Sequence, residues 1–140
     1  MERDKLAALG EAIRVTKPGG VLFAAYCISD PSILGYGFIR GGIHELIEKN
    51  MVDLKTYKAF SNSWDIFELH RKEDIDKLMA GFDVERLHYV ATDGYTNHMR
   101  ETMVNMDDAT FDIYMKYHFA TCERGDMVGL SHHTLDIFRK

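Results

Sequence analysis

Six apolar residues in a row, Val21-Leu22-Phe23-Ala24-Ala25-Tyr26, follow directly on Lys17-Pro18-Gly19-Gly20, and this junction limits the folds open to the chain. A run of strand length that is apolar at every position has no polar face to give to water. It therefore reads as an interior strand covered on both sides, as in parallel sheets. The segment before it, residues 4–16, has Leu6, Leu9 and Ile13 at three- and four-residue spacing and three alanines among them, which predicts an amphipathic helix. Lys17 stands before a proline, a position that disfavours further helix. Gly19-Gly20 then permits the positive φ of a tight turn. Helix, tight turn and buried strand in that order are the start of an α/β arrangement.

The bulk properties remove several functional classes. At 140 residues the chain is one domain, 1–140, long enough to bury a core. Its net charge of −5 and the lack of a Lys/Arg block argue against binding nucleic acid through a broad basic surface. The longest apolar runs are far shorter than a membrane-spanning helix, and the N-terminus opens with mixed charge instead of an apolar signal core. Cys27 and Cys122 have no CxxC spacing and form no disulfide framework, so they read as two reduced thiols in a cytoplasmic protein.

Beyond the first strand the pattern keeps alternating. Residues 27–70 carry Gly35, Gly37, Gly41 and Gly42, a short helical signal at Ile43, Leu46 and Ile47, and the aromatics Tyr57, Phe60, Trp64 and Phe67. This stretch is expected to be an insertion over the sheet. Residues 72–80 predict a helix with acids early and Ile75, Leu78 and Met79 on one face, closed by a left-handed Gly81. A strand follows over 84–91, broken by Asp93-Gly94. A short helix is expected over 96–104. A longer one begins at the N-cap pair Asp107-Asp108, with Phe111, Met115, Phe119 and Cys122 as its buried stripe and Gly125 as its stop. Residues 133–139 close the chain as a strand with Leu135 and Ile137 on one face.

Three segments carry a resemblance. Arg14-Val15-Thr16-Lys17-Pro18-Gly19-Gly20-Val21-Leu22 resembles the stretch that leads into the fifth strand of class I S-adenosylmethionine-dependent methyltransferases, with Thr16 where that family usually has Leu. Leu78-Met79-Ala80-Gly81-Phe82 is similar to the family's junction before the sixth strand, and the closing Leu135-Asp136-Ile137-Phe138-Arg139-Lys140 to its seventh. The resemblance implies a partial Rossmann-like fold: a three-stranded mixed sheet in the order five, seven, six, the last strand antiparallel. It also implies that the donor-binding half of the family fold has no counterpart here. S-adenosylmethionine would serve the complete enzyme, and no cofactor is expected for this chain alone. The fifth strand would then lack its usual neighbour, so the open edge at residues 21–26, Val21 to Tyr26, predicts a homo-oligomer.

In open α/β sheets ligands sit outside the carboxyl ends of the strands. Applied to the implied strands, that rule selects Tyr26, Cys27, Ser29 and Asp30 after the first, Tyr95 and His98 after the next, and His132 at the start of the last. These are the candidate residues for binding a small-molecule acceptor. Each has a plainer use: rim aromatics, a solvated histidine, a small buried thiol. A short helix would place Tyr95 and His98 on one face. Other motifs fail. Gly35-Tyr36-Gly37-Phe38-Ile39-Arg40-Gly41 does not directly follow a strand, which makes it a poor donor-binding loop. His44-Glu45-Leu46-Ile47-Glu48 has Glu where a zinc protease needs its second His, and the adjacent His132 and His133 face opposite sides of a strand. Two functions remain: part of a small-molecule methyltransferase, inactive alone, or a non-catalytic binding or assembly module on the same half-fold.

Overall fold

A computed structural model describes residues 2–61 and 67–140. Trp64 lies outside the described residues. The chain begins with α1 (Glu2–Val15). Its end is set locally: the Thr16 hydroxyl donates to the Ala12 carbonyl at 2.8 Å, and Gly19 turns with φ +76°. A Cβ at Gly20 would lie 2.7 Å from the Thr16 methyl and 2.8 Å from the Lys17 carbonyl oxygen, so only glycine fits there. Lys140 ties the turn down, its carbonyl accepting from Gly19 N at 2.7 Å and its ammonium donating to the Thr16 carbonyl at 2.8 Å.

β1 (Val21–Ile28) follows the turn. The connection beyond it holds α2 (Ser29–Ser32), a π-helical turn over Ile33–Ile39, α3 (Ile43–Glu48) and a small hairpin of β2 (Val52–Asp53) and β3 (Lys58–Ala59). These pieces share a minor core of Ile33, Val52 and Ala59, with Ile43, Leu46 and Leu69 against it. Next come β4 (Leu69–His70), α4 (Lys72–Met79) and β5 (Glu85–Ala91). Asp74 caps α4 by accepting from Arg71 N at 2.8 Å. Gly81 has no left-handed φ; instead Phe82 N bonds back to Met79 O at 3.0 Å, and the Phe82 ring packs on the main core. The expected short helix over 96–104 is split into a 3₁₀ turn at Thr96–His98 and α5 (Arg100–Val104). α6 (Asp108–Thr121) starts at Asp107, whose carboxylate accepts from Thr110 N at 3.0 Å. It ends before Gly125, which opens α7 (Gly125–Val128), and β6 (His133–Arg139) completes the chain.

The main sheet has the order β4-β1-β6-β5. β6 runs antiparallel to both neighbours and β4 parallel to β1. The fold is thus mixed α/β, with four strands in this sheet where three were expected. The unforeseen one, β4, is two residues long and pairs only with Cys27 and Ile28. Leu69 and His70 carry no strand-length period, which is why the sequence hides it. Among the described residues the outer edge of β1 from residue 21 to 26 has no strand partner.

One sheet face is covered and the other is not. Register places Leu22, Phe138 and Arg86 in one row, Ala24, Asp136 and Tyr89 in the next, then Tyr26, Thr134 and Ala91. On this face Leu9 of α1 and Ile75 and Met79 of α4 pack with Tyr89, Ala91, Phe138 and Ile28 as the main core. The opposite face carries Val21, Phe23 and Ala25 beside Ile137 and Leu135, and Phe23 is 66% exposed. Cover on both faces of β1, expected from its all-apolar run, is therefore present on only one.

α6 reverses expectation too. Cys122 just past it is buried, but Phe119 is 71% exposed and Phe111 42%. The supposed buried stripe is thus exposed at both phenylalanines and half-buried at Met115, while Tyr114 and His118 line the inner side, walling a cavity of about 340 Å³ shared with Tyr95, Met99 and Leu130. No described helix is long and apolar enough to cross a membrane.

Candidate functional site

The carboxyl ends of β1 and β5 and the start of β6 meet at one edge of the sheet. The junction is fixed by backbone bonds, Ile28 N to His132 O at 2.8 Å and Thr92 N to His133 O at 3.2 Å. Asp93 and the buried Ser131 form its knot. Ser131 donates to the Asp93 carboxylate, His133 N donates to it at 2.9 Å, and Gly94 N donates to the Ser131 hydroxyl at 3.0 Å. Asn97 also donates to Asp93. Burial pushes the Asp93 carboxyl up, but the bonds from Ser131 and His133 outweigh it and hold the group below its ordinary value. It is an anion used for positioning.

Above this knot lies a cavity of about 360 Å³ walled by Cys27, Gly35, Arg40, His98, His132 and His133 among others. Gly35 matters for its lack of a side chain, since a Cβ there would sit 2.9 Å from His132 Nε2. The rings of Tyr95, His98 and His132 form a tilted stack, with centroids 4.8 Å and 4.9 Å apart and planes inclined by 35° and 39°. The expected juxtaposition of Tyr95 and His98 is thus present, produced by a 3₁₀ turn. Within the stack His98 Nε2 and His132 Nδ1 are buried and have no partner among the described residues. A buried polar atom left unpaired costs about 1–3 kcal/mol, so a hydroxyl, amide or water bound there gains by satisfying it. Burial and the neighbouring His98 push the His132 pKa down, which favours the neutral ring and leaves a nitrogen free to accept a proton.

The seven residues selected from sequence separate into two groups. Cys27, His98 and His132 line this cavity, and Tyr95 backs the stack from the adjoining one. Burial raises the Cys27 thiol, with Asp93 adding to it, so Cys27 is a poor thiolate. Tyr26, Ser29 and Asp30 serve the fold. Tyr26 points to the covered face, its hydroxyl buried with no hydrogen-bond partner among the described residues, its pKa pushed up to about 12 by burial and by Asp136. Ser29 is fully buried and accepts from Ala59 N at 2.8 Å, anchoring the hairpin. Asp30 is held by both Nε and Nη2 of Arg71 at 2.8 Å. Arg40, Asn97 and Ser131 belong to the site region and had no sequence signal, because each reaches it through a turn whose path depends on packing.

Gly35, Gly37, Gly41 and Gly42 serve turns and close packing in this structure. They lie in and after the π-helical turn, where Gly35 makes room for His132 and Gly42 for the Tyr36 ring, 2.5 Å from a notional Cβ. Among the described residues no three His, Cys, Asp or Glu side chains converge as a metal ion requires. No family model matches the sequence, and no curated protein matches it.

Proposed function

We propose that this chain is the acceptor-side half of a class I S-adenosylmethionine-dependent methyltransferase of partial Rossmann-like fold. The observation that carries this reading is the sheet: β1, β6 and β5 are neighbours in that order, only β6 is reversed among them, and α1 and α4 pack on the same face. This is the order that the resemblance implies for strands five, seven and six. Bound to its own portion of the enzyme, the donor would supply an electrophilic methyl group. The residues of this chain act on the acceptor alone. The cavity beneath Arg40 orients a small molecule, the Tyr95-His98-His132 stack shields it from water, and neutral His132 takes the proton that a hydroxyl or amine nucleophile loses. Two free thiols, Cys27 and Cys122, agree with a cytoplasmic setting.

The second reading, a non-catalytic binding or assembly module, is favoured by the surface left open. The chain exposes 9253 Å², against about 7,400 Å² for a compact monomer of this mass. The unpaired edge at Val21 to Tyr26 and the bare face around Phe23 account for part of that excess, and a second copy pairing there would make a homo-oligomer. Calorimetric titration of the 140-residue chain with S-adenosylmethionine and its demethylated product tests the division of labour. No heat of binding is expected. Saturable micromolar binding would mean that the donor site is built from these residues after all.

A further inference from the structure

α6 is apolar around most of its circumference, a composition found where a helix is covered on all sides, yet none of its residues is buried. Its inner side, Tyr114 and His118, already meets the rest of the chain. The stripe Phe111, Met115 and Phe119, spaced by four, is left bare at both phenylalanines. We propose that this stripe is a dimer surface, and that its occupant is α6 of a second copy of the chain, packed antiparallel about a two-fold axis at Met115. The proposal does not depend on the methyltransferase reading, since it concerns neither the sheet face nor the cavity.

The case for a second copy is self-complementarity. A two-fold axis through Met115 reverses the helix and sets Phe111 of one protomer against Phe119 of the other, twice, with Met115 on Met115 between them. Asp112 and Lys116 lie together on one flank of the stripe. The same operation brings Asp112 within one helical turn of Lys116 on the partner's matching flank, again twice. Neither side chain makes an ion pair within the chain among the described residues. The N-cap Asp107 and the acids Asp108 and Asp112 fall at and within the first half of α6 and Lys116 in the second, so antiparallel packing opposes unlike charges and unlike helix ends. The same three acids make an anionic lipid surface a poor fit. Phe111 is 42% and Phe119 71% exposed, so the four phenylalanines keep only about half of their roughly 150–250 Å² each for the partner, which makes a small, reversible interface.

Sedimentation equilibrium of the full chain from about 1 to about 300 µM spans micromolar affinities. A reversible dimer is expected. Phe119→Glu, at a position already exposed, should leave the melting transition in place and weaken the dimer by about tenfold or more. Asp112→Lys should weaken it as well by setting Lys against Lys, and the double variant Asp112→Lys/Lys116→Asp should restore it, because every pair is then reversed in sign. A monomer throughout the range overturns the proposal. So does a dimer indifferent to Phe119→Glu, or a double variant no tighter than Asp112→Lys alone.

Discussion

Replacing Arg86 by Met is expected to remove about 3 kcal/mol of folding stability at pH 8, and distinctly less at pH 4.5. Asp136 is fully buried in the middle of β6, and Arg86 grips it with Nε at 2.8 Å and Nη2 at 2.7 Å. The guanidinium lies over the rings of Tyr89 and Phe138, and its third nitrogen reaches Asp76 at 2.7 Å. Burial weakens the charge on the arginine, but Asp136 and Asp76 together raise its pKa above the ordinary value. For Asp136, burial pushes the carboxyl up and Arg86 pulls it back. Methionine fills the space over the rings without the charge, so the variant leaves a carboxylate buried with no cation. Its folded-state pKa then rises further above the unfolded one. A carboxyl raised in this way adds stability below its unfolded pKa and loses it as pH climbs through the folded value, so the penalty grows from acid to neutral pH. Asp76 keeps Lys72 at 2.7 Å and is not stranded. Urea unfolding at the two pH values measures the effect. A loss below about 1 kcal/mol, or one that does not change with pH, would show that the Arg86-Asp136 contact is dispensable.

Ile75→Ala is expected to cost about 3–4 kcal/mol, the upper part of the range for a large-to-small change in a core. Ile75 has no exposed surface and sits among Ile28, Met79, Tyr89, Ala91, Val128 and Phe138, on the face that α4 covers. The removed atoms leave a hole among closely packed side chains of the strands, α4 and α7, which relax only partly into it. Phe23→Ala removes a larger side chain from the opposite face, where Phe23 is 66% exposed, and is expected to change stability by no more than about 0.5 kcal/mol. The pair measured together by urea unfolding checks which face of the sheet holds the core. Equal losses would contradict the assignment of a covered and a bare face.

The elements with a strong local cause were legible in the sequence. Pro18, Gly19 and Gly20 stop α1 and start β1 through φ restriction and lack of space, and Asp107 caps α6 with its own side chain. What the sequence hid depends on distant packing. The two residues of β4 become a strand only because the hairpin anchored on Ser29 brings them beside Cys27. Gly81 is not left-handed, because the chain leaves α4 by a tight bond from Phe82 to Met79 that needs no positive φ. Periodicity marked Phe111, Met115 and Phe119 as a stripe to be buried, but it carries no information on whether the cover comes from the same chain. The site follows the same division. Position at a strand's end located Cys27, His98 and His132. It also selected Tyr26, Ser29 and Asp30, whose side chains are taken up by the main core, by Ala59 and by Arg71, contacts that no local pattern encodes.

On the proposed reading this chain supplies the acceptor side of a methyltransferase and draws its donor site from other residues. The most direct test is donor binding by the 140-residue chain beside the same chain extended by the coding segment immediately upstream of Met1. The account predicts no binding of S-adenosylmethionine to the first and saturable, micromolar binding to the second, where a glycine-rich loop after a strand would complete the sheet at the open edge of β1. Absence of binding by the extended protein would contradict the methyltransferase reading and leave the assembly module standing.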